Sequence, residues 1–220
     1  RPPQIPITAL DLSPLSGKSS RADWLSTESL MPAPPLSRDD LPSRLRFEGH
    51  AIVSADGMLS DAAGAMPSWM RNEADGRHFQ AALSASSLVV LGRLGHRRHP
   101  NSARNRLVFT GAVTGLAADP DDSRALFFNP AGASLAEALA HFAIGEGIIA
   151  ITGGTRVFAA FLPLYDAFDL AEVHGEILPD GRPCFADGHP RSVLAASGLH
   201  PTSFRLIDPP AGVSLTRWSR

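Results

Sequence analysis

Between residues 47 and 219 the apolar positions fall into short runs whose period switches between that of a strand and that of a helix. "FEGHAIVSADG" (47–57) predicts a strand closed by an Asp56-Gly57 turn. "NEADGRHFQAALSAS" (72–86) predicts a helix that carries Phe79, Ala82 and Leu83 on one face. "SLVVLG" (87–92), "NRLVFTG" (105–111), "RALFFN" (124–129) and "GIIAIT" (147–152) have apolar centres, as strands covered on both faces do. Helices are expected over "SLAEALAHFA" (134–143), where Ser134 and Glu137 have capping-box spacing, and over "TRVFAAFLPL" (155–164). "AFDLAEVHGEI" (167–177) reads as a longer strand, and "TSFRLIDPPAGVSLTRWS" (202–219) as a hairpin turning at Pro-Pro-Ala-Gly. The alternation predicts a three-layer α/β/α fold: a mostly parallel central sheet, helices on both faces, and a C-terminal antiparallel hairpin.

Residues 1–44 break this pattern. They hold eight prolines and many serines with no sustained period, and read as an extended arm with one short helix near 21–30. Two units are therefore expected, the proline-rich arm at 1–44 and a compact domain at 45–220. The arm could serve as a linker, a lid or a strap across a partner, and a homodimer is one assembly it would allow.

Composition narrows the function classes. With 44% hydrophobic residues in 220, the chain can bury a sizeable core. A net charge of −2 gives no basic field for nucleic acid or an anionic membrane. No apolar run reaches the ~20 residues of a bilayer span. A single cysteine, Cys184, excludes an intrachain disulfide and a cysteine-rich metal site. No signal-peptide pattern is visible, and a cytoplasmic location is expected; a leader ahead of Arg1 is left open.

The candidate chemistry sits where strands hand over to helices. In sheets of this kind ligands lie at the carboxyl ends of the strands. Three such ends carry small residues: Gly92-Arg93, Thr110-Gly111 and Gly153-Gly154-Thr155-Arg156. Small residues let phosphate oxygens approach backbone amides, and arginine adds bidentate contacts. One glycine pair alone is an ordinary tight turn. Three junctions together, two with an arginine, favour a dinucleotide or another phosphorylated ligand, although no G-x-G-x-x-G follows the first strand.

The segments "SADGMLSDAAGAMPSW", "VVLGR", "RNRLVFTG" and "AITGGTRVFAAFLPLYDAFDLAEVHGEILPDGRPCF" occur in an order and spacing that resembles the dihydrofolate reductase superfamily, over residues 47–219. That superfamily includes dihydrofolate reductase and the reductase domain of riboflavin-biosynthesis deaminase–reductases. The resemblance implies a dihydrofolate reductase-like fold and an NADPH cofactor, with the glycine pair joined by a cis peptide beneath the cofactor phosphates. By position, Gly92 and Arg93 fall at a phosphate site, and Thr110 and Gly111 at the adenosine-side loop. Thr152, Gly153, Gly154, Thr155, Arg156 and Val157 fall at the glycine junction, and Ala51, Met58 and Leu59 near the nicotinamide. Asp75, four residues before Phe79, matches the catalytic carboxylate, with Glu73 the substitute if the helix is registered differently. Trp69, Phe79 and Arg104 fall at the substrate side.

Departures point away from folate. Ala171 stands where folate reductases have threonine, Ser68 separates Trp69 from Pro67, Gly95 stands where a threonine flanks the first phosphate site, and "SADG" is closer to the riboflavin-type pattern. The expected activity is NADPH-dependent hydride transfer to a pterin- or aminopyrimidine-like, riboflavin-pathway substrate. The alternatives are a divergent dihydrofolate reductase or a non-catalytic NADP(H)-binding module. For "GRLGHRRHP" (92–100), Arg97 and Arg98 either hold a 2′-phosphate or form a solvated basic face, and a metal on His96 and His99 is not expected for want of a third ligand.

Overall fold

The computed structural model describes residues 36–100 and 103–220; the helix read near 21–30, and the rest of 1–35, lie outside the described residues. The strands are β1 (Arg44–Ser54), β2 (Met58–Ser60), β3 (Leu88–Gly92), β4 (Arg106–Phe109), β5 (Leu116–Ala118), β6 (Ala125–Phe128), β7 (Glu146–Ile151), β8 (Ala167–Val173), β9 (Arg182–Pro183), β10 (His200–Asp208) and β11 (Val213–Ser219). The helices are α1 (Glu73–Ala85), α2 (Arg93–Arg98), α3 (Leu135–His141), α4 (Thr155–Phe161) and α5 (Pro190–Ala196).

Nine strands form one sheet in the order β10-β11-β8-β1-β7-β3-β4-β6-β5, and β2 pairs with β9 in a separate ribbon. The six strands from β8 to β6 run parallel. The β10–β11 hairpin and β5 add antiparallel edges. The predicted α/β architecture with its closing hairpin is therefore the observed one.

The central strands are apolar because both of their faces are covered. On one face Phe47, Val90, Leu107, Ile149 and Ile151 pack with α3, α4 and α5 in the main core. On the other, Val89, Leu91, Val108 and Ala150 pack with Leu83 of α1. Ile52, Ala171, Val213 and Leu215 pack around Met70 on that second face. α3 starts on the capping box predicted from Ser134 and Glu137. Leu36 and Leu41 pack against the main core, and Arg38 donates to Leu164 O at 2.6 Å and Asp166 Oδ2 at 2.5 Å, so 36–41 is fastened to the sheet.

Several elements were invisible to periodicity. The β2–β9 ribbon and β5 are two or three residues long, too short to show a period. α5 begins at Pro190 in a polar stretch and is held by His189, whose side chain accepts from Arg191 N. The strand expected over 167–177 stops at Val173, because Gly175 takes φ +85° and turns the chain.

Gly49 of β1 leaves room for the Phe168 ring: a Cβ there would lie 2.2 Å from Phe168 Cδ2. Phe168 is fully buried in the main core. Gly49→Ala is expected to cost about 1–3 kcal/mol by overpacking, read as a lower urea midpoint at unchanged slope.

Candidate active site

The carboxyl ends of β3 and β7 meet at one point. Gly92 N donates to Gly153 O at 2.8 Å, and Thr152 N donates to Val90 O at 2.9 Å. The Gly153-Gly154 peptide is cis. Gly153 has φ +92°, and a Cβ on it would lie 2.4 Å from the Phe158 ring, so this position admits only glycine. A Cβ on Gly154 would meet nothing within 4 Å, and one on Gly92 only Val157 and the Gly153-Gly154 backbone, at 3.7 to 3.9 Å. The edge thus carries no side chain at three positions and opens to space at Gly154, a shape that suits a phosphate chain.

Other residues singled out in the sequence surround this edge. Thr110 follows β4, the strand beside β3, and its Oγ1 accepts from Ala112 N at 3.1 Å. Gly111 is exposed, with nothing within 4 Å of a Cβ. Arg93 opens α2 half-buried, while Arg156 is exposed on α4 and Val157 is buried beside Gly92. Thr155 Oγ1 donates to Pro183 O and ties α4 to β9. Ala51 is half-buried on β1, and Leu59 on β2 packs against the main core beyond it. Met58 N donates to Ser54 Oγ at 3.0 Å, which fixes the β1–β2 turn. The donors available here, backbone amides and arginines, fit a dinucleotide's phosphates.

Of the basic cluster after Gly92, Arg98 donates to the carbonyls of Ala63 and Gly64, and His96 Nε2 bonds Asp119 Oδ2 at 2.7 Å. Both secure neighbouring loops, and Arg97 is exposed.

α1 supplies the candidate acid. Asn72 caps it, its Oδ1 accepting from Ala74 N at 2.9 Å and Asp75 N at 3.1 Å. The helix register separates the two acids of its first turn. Glu73 points outward, its side chain 95% exposed and 3.6 Å from Arg77. Asp75 is half-buried toward the sheet, and burial pushes its carboxyl up to about 6, against the opposing charge of His78 and with that of Asp169. Phe79 lies on the inner side of α1, its ring 6.3 Å from that of His50. Trp69 sits exposed in a single turn of 3-10 helix, Ser68–Met70.

Arg104 lies elsewhere. It precedes β4, at the opposite end of that strand from Thr110, and donates to Gln80 Oε1 at 3.2 Å and Ser84 Oγ at 3.1 Å of α1. With Arg124 it lines a cleft of about 390 Å³ between the C-terminal half of α1 and the starts of β3 and β4.

Between Asp75 and the sheet lies a polar group that the sequence reading missed. His50, Asp169 and Arg217 are register partners on β1, β8 and β11. Asp169 Oδ2 bonds His78 Nε2 at 2.8 Å, and Asp169 Oδ1 accepts from Arg217 Nη1 at 2.9 Å. Arg217 Nη2 reaches Glu48 Oε1 at 3.0 Å. Burial raises the Asp169 carboxyl, but the His78 hydrogen bond and the Arg217 charge outweigh it and hold the group below its ordinary value. Burial pushes His50 down, and neither of its ring nitrogens has a hydrogen-bond partner among the described residues. The donor atoms of His50, His78 and Asp169 lie within 4.8 Å of one another. Arg217 and His78 already engage both Asp169 oxygens, and the guanidinium charge opposes a cation, so Asp169, His78 and Arg217 form a hydrogen-bonded network with His50 packed against it. The signal in the sequence was the alternation Arg46, Glu48, His50 along a strand whose other face is apolar.

No protein-family model matches the sequence, and no curated protein matches it. Solved structures do. A protein from Shewanella sp. PV-4 assigned to riboflavin biosynthesis superposes with a TM-score of 0.59 at 17% identity, over 80% of this chain and 98% of that one. Dihydrofolate reductase from Enterococcus faecalis, solved with NADP(H) and RAB-propyl, gives 0.56 at 20% identity over 80% and 96%. The chain has the dihydrofolate reductase-like fold. The Thermotoga maritima diaminohydroxyphosphoribosylaminopyrimidine deaminase/5-amino-6-(5-phosphoribosylamino)uracil reductase gives 0.55 at 14% identity, over 80% of this chain and 56% of that longer protein. At these identities the likeness establishes the fold.

A raised carboxyl pKa has a stability consequence. Folding binds the Asp75 proton more tightly than the unfolded chain does, so stability falls as pH rises from about 4 to about 6 and is level above. Asp75→Asn removes that loss. Its melting temperature relative to wild type is expected to rise by roughly 5–10 °C between pH 4 and pH 7.5 in thermal denaturation.

Proposed function

We propose that this protein is an NADPH-dependent reductase that transfers hydride to a pterin- or aminopyrimidine-like heterocycle of the riboflavin-pathway type. One observation carries the reading: a side-chain-free strand edge at Gly92 and Gly153-Gly154 coexists with a desolvated carboxyl, Asp75, on α1, the helix that packs on β7. Neighbours of the same fold that include an NADP(H)-bound dihydrofolate reductase and a uracil reductase support it.

In this reading Gly92, Arg93 and the 152–157 junction hold the cofactor phosphates. Thr110 and Gly111 face its adenosine end, and Ala51, Met58 and Leu59 its nicotinamide. The bound cofactor supplies hydride from nicotinamide C4. The chain positions the acceptor, excludes water and provides a proton. Asp75 fits the last task, because a carboxyl with a pKa of about 6 carries its proton in a useful fraction of molecules near neutrality. Trp69 and Phe79 offer aromatic surface to a planar ring. Arg104 and Arg124 line a separate cleft at the far end of α1, so they would meet only an anionic substituent long enough to run along that helix from Asp75.

NADPH is expected to raise the melting temperature more than NADH, and a protein that neither cofactor stabilises would rule out the reductase reading. In NADPH-oxidation assays with pterins and ribosylated aminopyrimidines, Asp75→Asn should lower kcat about 100-fold or more while the NADPH-induced thermal shift persists. Wild-type kcat/KM should fall as pH rises above about 6, because the protonated form is the donor. Cofactor binding with no oxidation in the presence of any such substrate would leave a nucleotide-binding module.

A further inference from the structure

Asp75 is half-buried, so each turnover needs a route that returns a proton to it. On the same helix His78 lies one turn on, side chains three apart share a helix face, and its charge acts on Asp75. His78 differs from Asp75 in reach: its side chain is 32% exposed, while Nε2 is fixed 2.8 Å from Asp169 Oδ2. We propose that His78, held by Asp169, relays protons between solvent and the Asp75 carboxyl. The inference rests on the reading of Asp75 as the acid.

The surroundings suit that role. Asp169 is 5% exposed and bonded by Arg217, and its carboxyl stays ionised, so it accepts and cannot supply the proton itself. An ionised Asp169 takes the Nε2–H of His78, which leaves Nδ1 as the exchanging nitrogen. His50, 3.6 Å from the same Asp169 oxygen, is kept neutral by burial and places no second cation there. Glu48 offsets Arg217, with Nη2–Oε1 at 3.0 Å. On β10, Asp208 accepts from Asn72 Nδ2 at 2.7 Å, at the N-cap of the helix. The charged groups around His78 are therefore Asp75, Asp169, Glu48 and Arg217, with His50 neutral and Asp208 at the helix start.

The proton passes from the His78 imidazolium to the Asp75 carboxylate through a bridging water, since the two side chains share a helix face without touching. Asp75 O–H gives it to the nitrogen of the substrate C=N bond as the adjacent carbon receives hydride from the reduced nicotinamide cofactor. Solvent returns a proton to the imidazole, and the C=N bond has gained two electrons and two hydrogens.

The test uses the full chain carrying His78→Ala and, as a shape-preserving second variant, His78→Gln. At pH 8 both should lose about tenfold in kcat with KM for NADPH unchanged. At pH 5, where water protonates Asp75 readily, they should approach wild type. Added imidazole should restore most of the loss in His78→Ala, which a purely structural role would not allow. A second readout needs no substrate: in carboxyl 13C NMR titrations, His78→Ala should raise the Asp75 pKa, since the His78 charge lowers it. Wild-type rates at pH 8, failure of imidazole rescue, or an unmoved Asp75 titration would overturn the relay. Loss in Asp75→Asn without loss in His78→Ala sinks the relay alone, and no loss in either sinks the parent reading with it.

Discussion

The molecule depends on burying both faces of a parallel sheet. A strand covered on two sides needs near-continuous apolar sequence, and β3, β4, β6 and β7 have it. Parallel neighbours also need crossovers, so every central strand leaves the sheet at the same edge. β1 lies between β7 and β8, and the chain reaches β3, β4 and β6 on one side before returning to β7 and β8. The crevice at that reversal is where the ends of β1, β7 and β3 open.

The glycines follow from the packing beneath them. The Phe158 ring fills the place of a Cβ on Gly153, so the main core reaches up to the edge and removes the side chain there. Gly154, one residue on, faces open space. A core demand and a site demand thus occupy adjacent positions. The Gly92–Gly153 hydrogen bond joins the two strand ends and holds them in step.

The second face carries a different solution. Between its two apolar clusters runs a belt of Glu48, His50 and Asp169, all buried, closed by the half-buried Arg217. Buried charge is tolerated only when paired, and here each carboxylate has a guanidinium partner. Asp169 of this belt adds its charge to the burial that raises the Asp75 carboxyl, so the polar strip that interrupts the core also reaches the candidate acid.

Much of this was legible in the sequence. Apolar runs located the central strands, Ser134 and Glu137 marked a helix start, and the resemblance anticipated the fold, because period, capping and junction glycines are local signals. The position of Asp75 near a helix start was also local. Which acid faces inward, Glu73 or Asp75, was decided by the seating of α1 on the sheet. Arg104 and Thr110 lie six residues apart in sequence yet at opposite ends of β4, because an extended strand separates what a helix would gather. The Asp169–His78–Arg217 network joins β8, α1 and β11, which lie far apart in the chain, and its charges become partners only through strand register. Sequence alone thus determined the central strands, the helices with a clear period and the glycines of the bare edge; tertiary pairing decided the short ribbons and which charges are buried together, since burial depends on neighbours the local pattern does not contain.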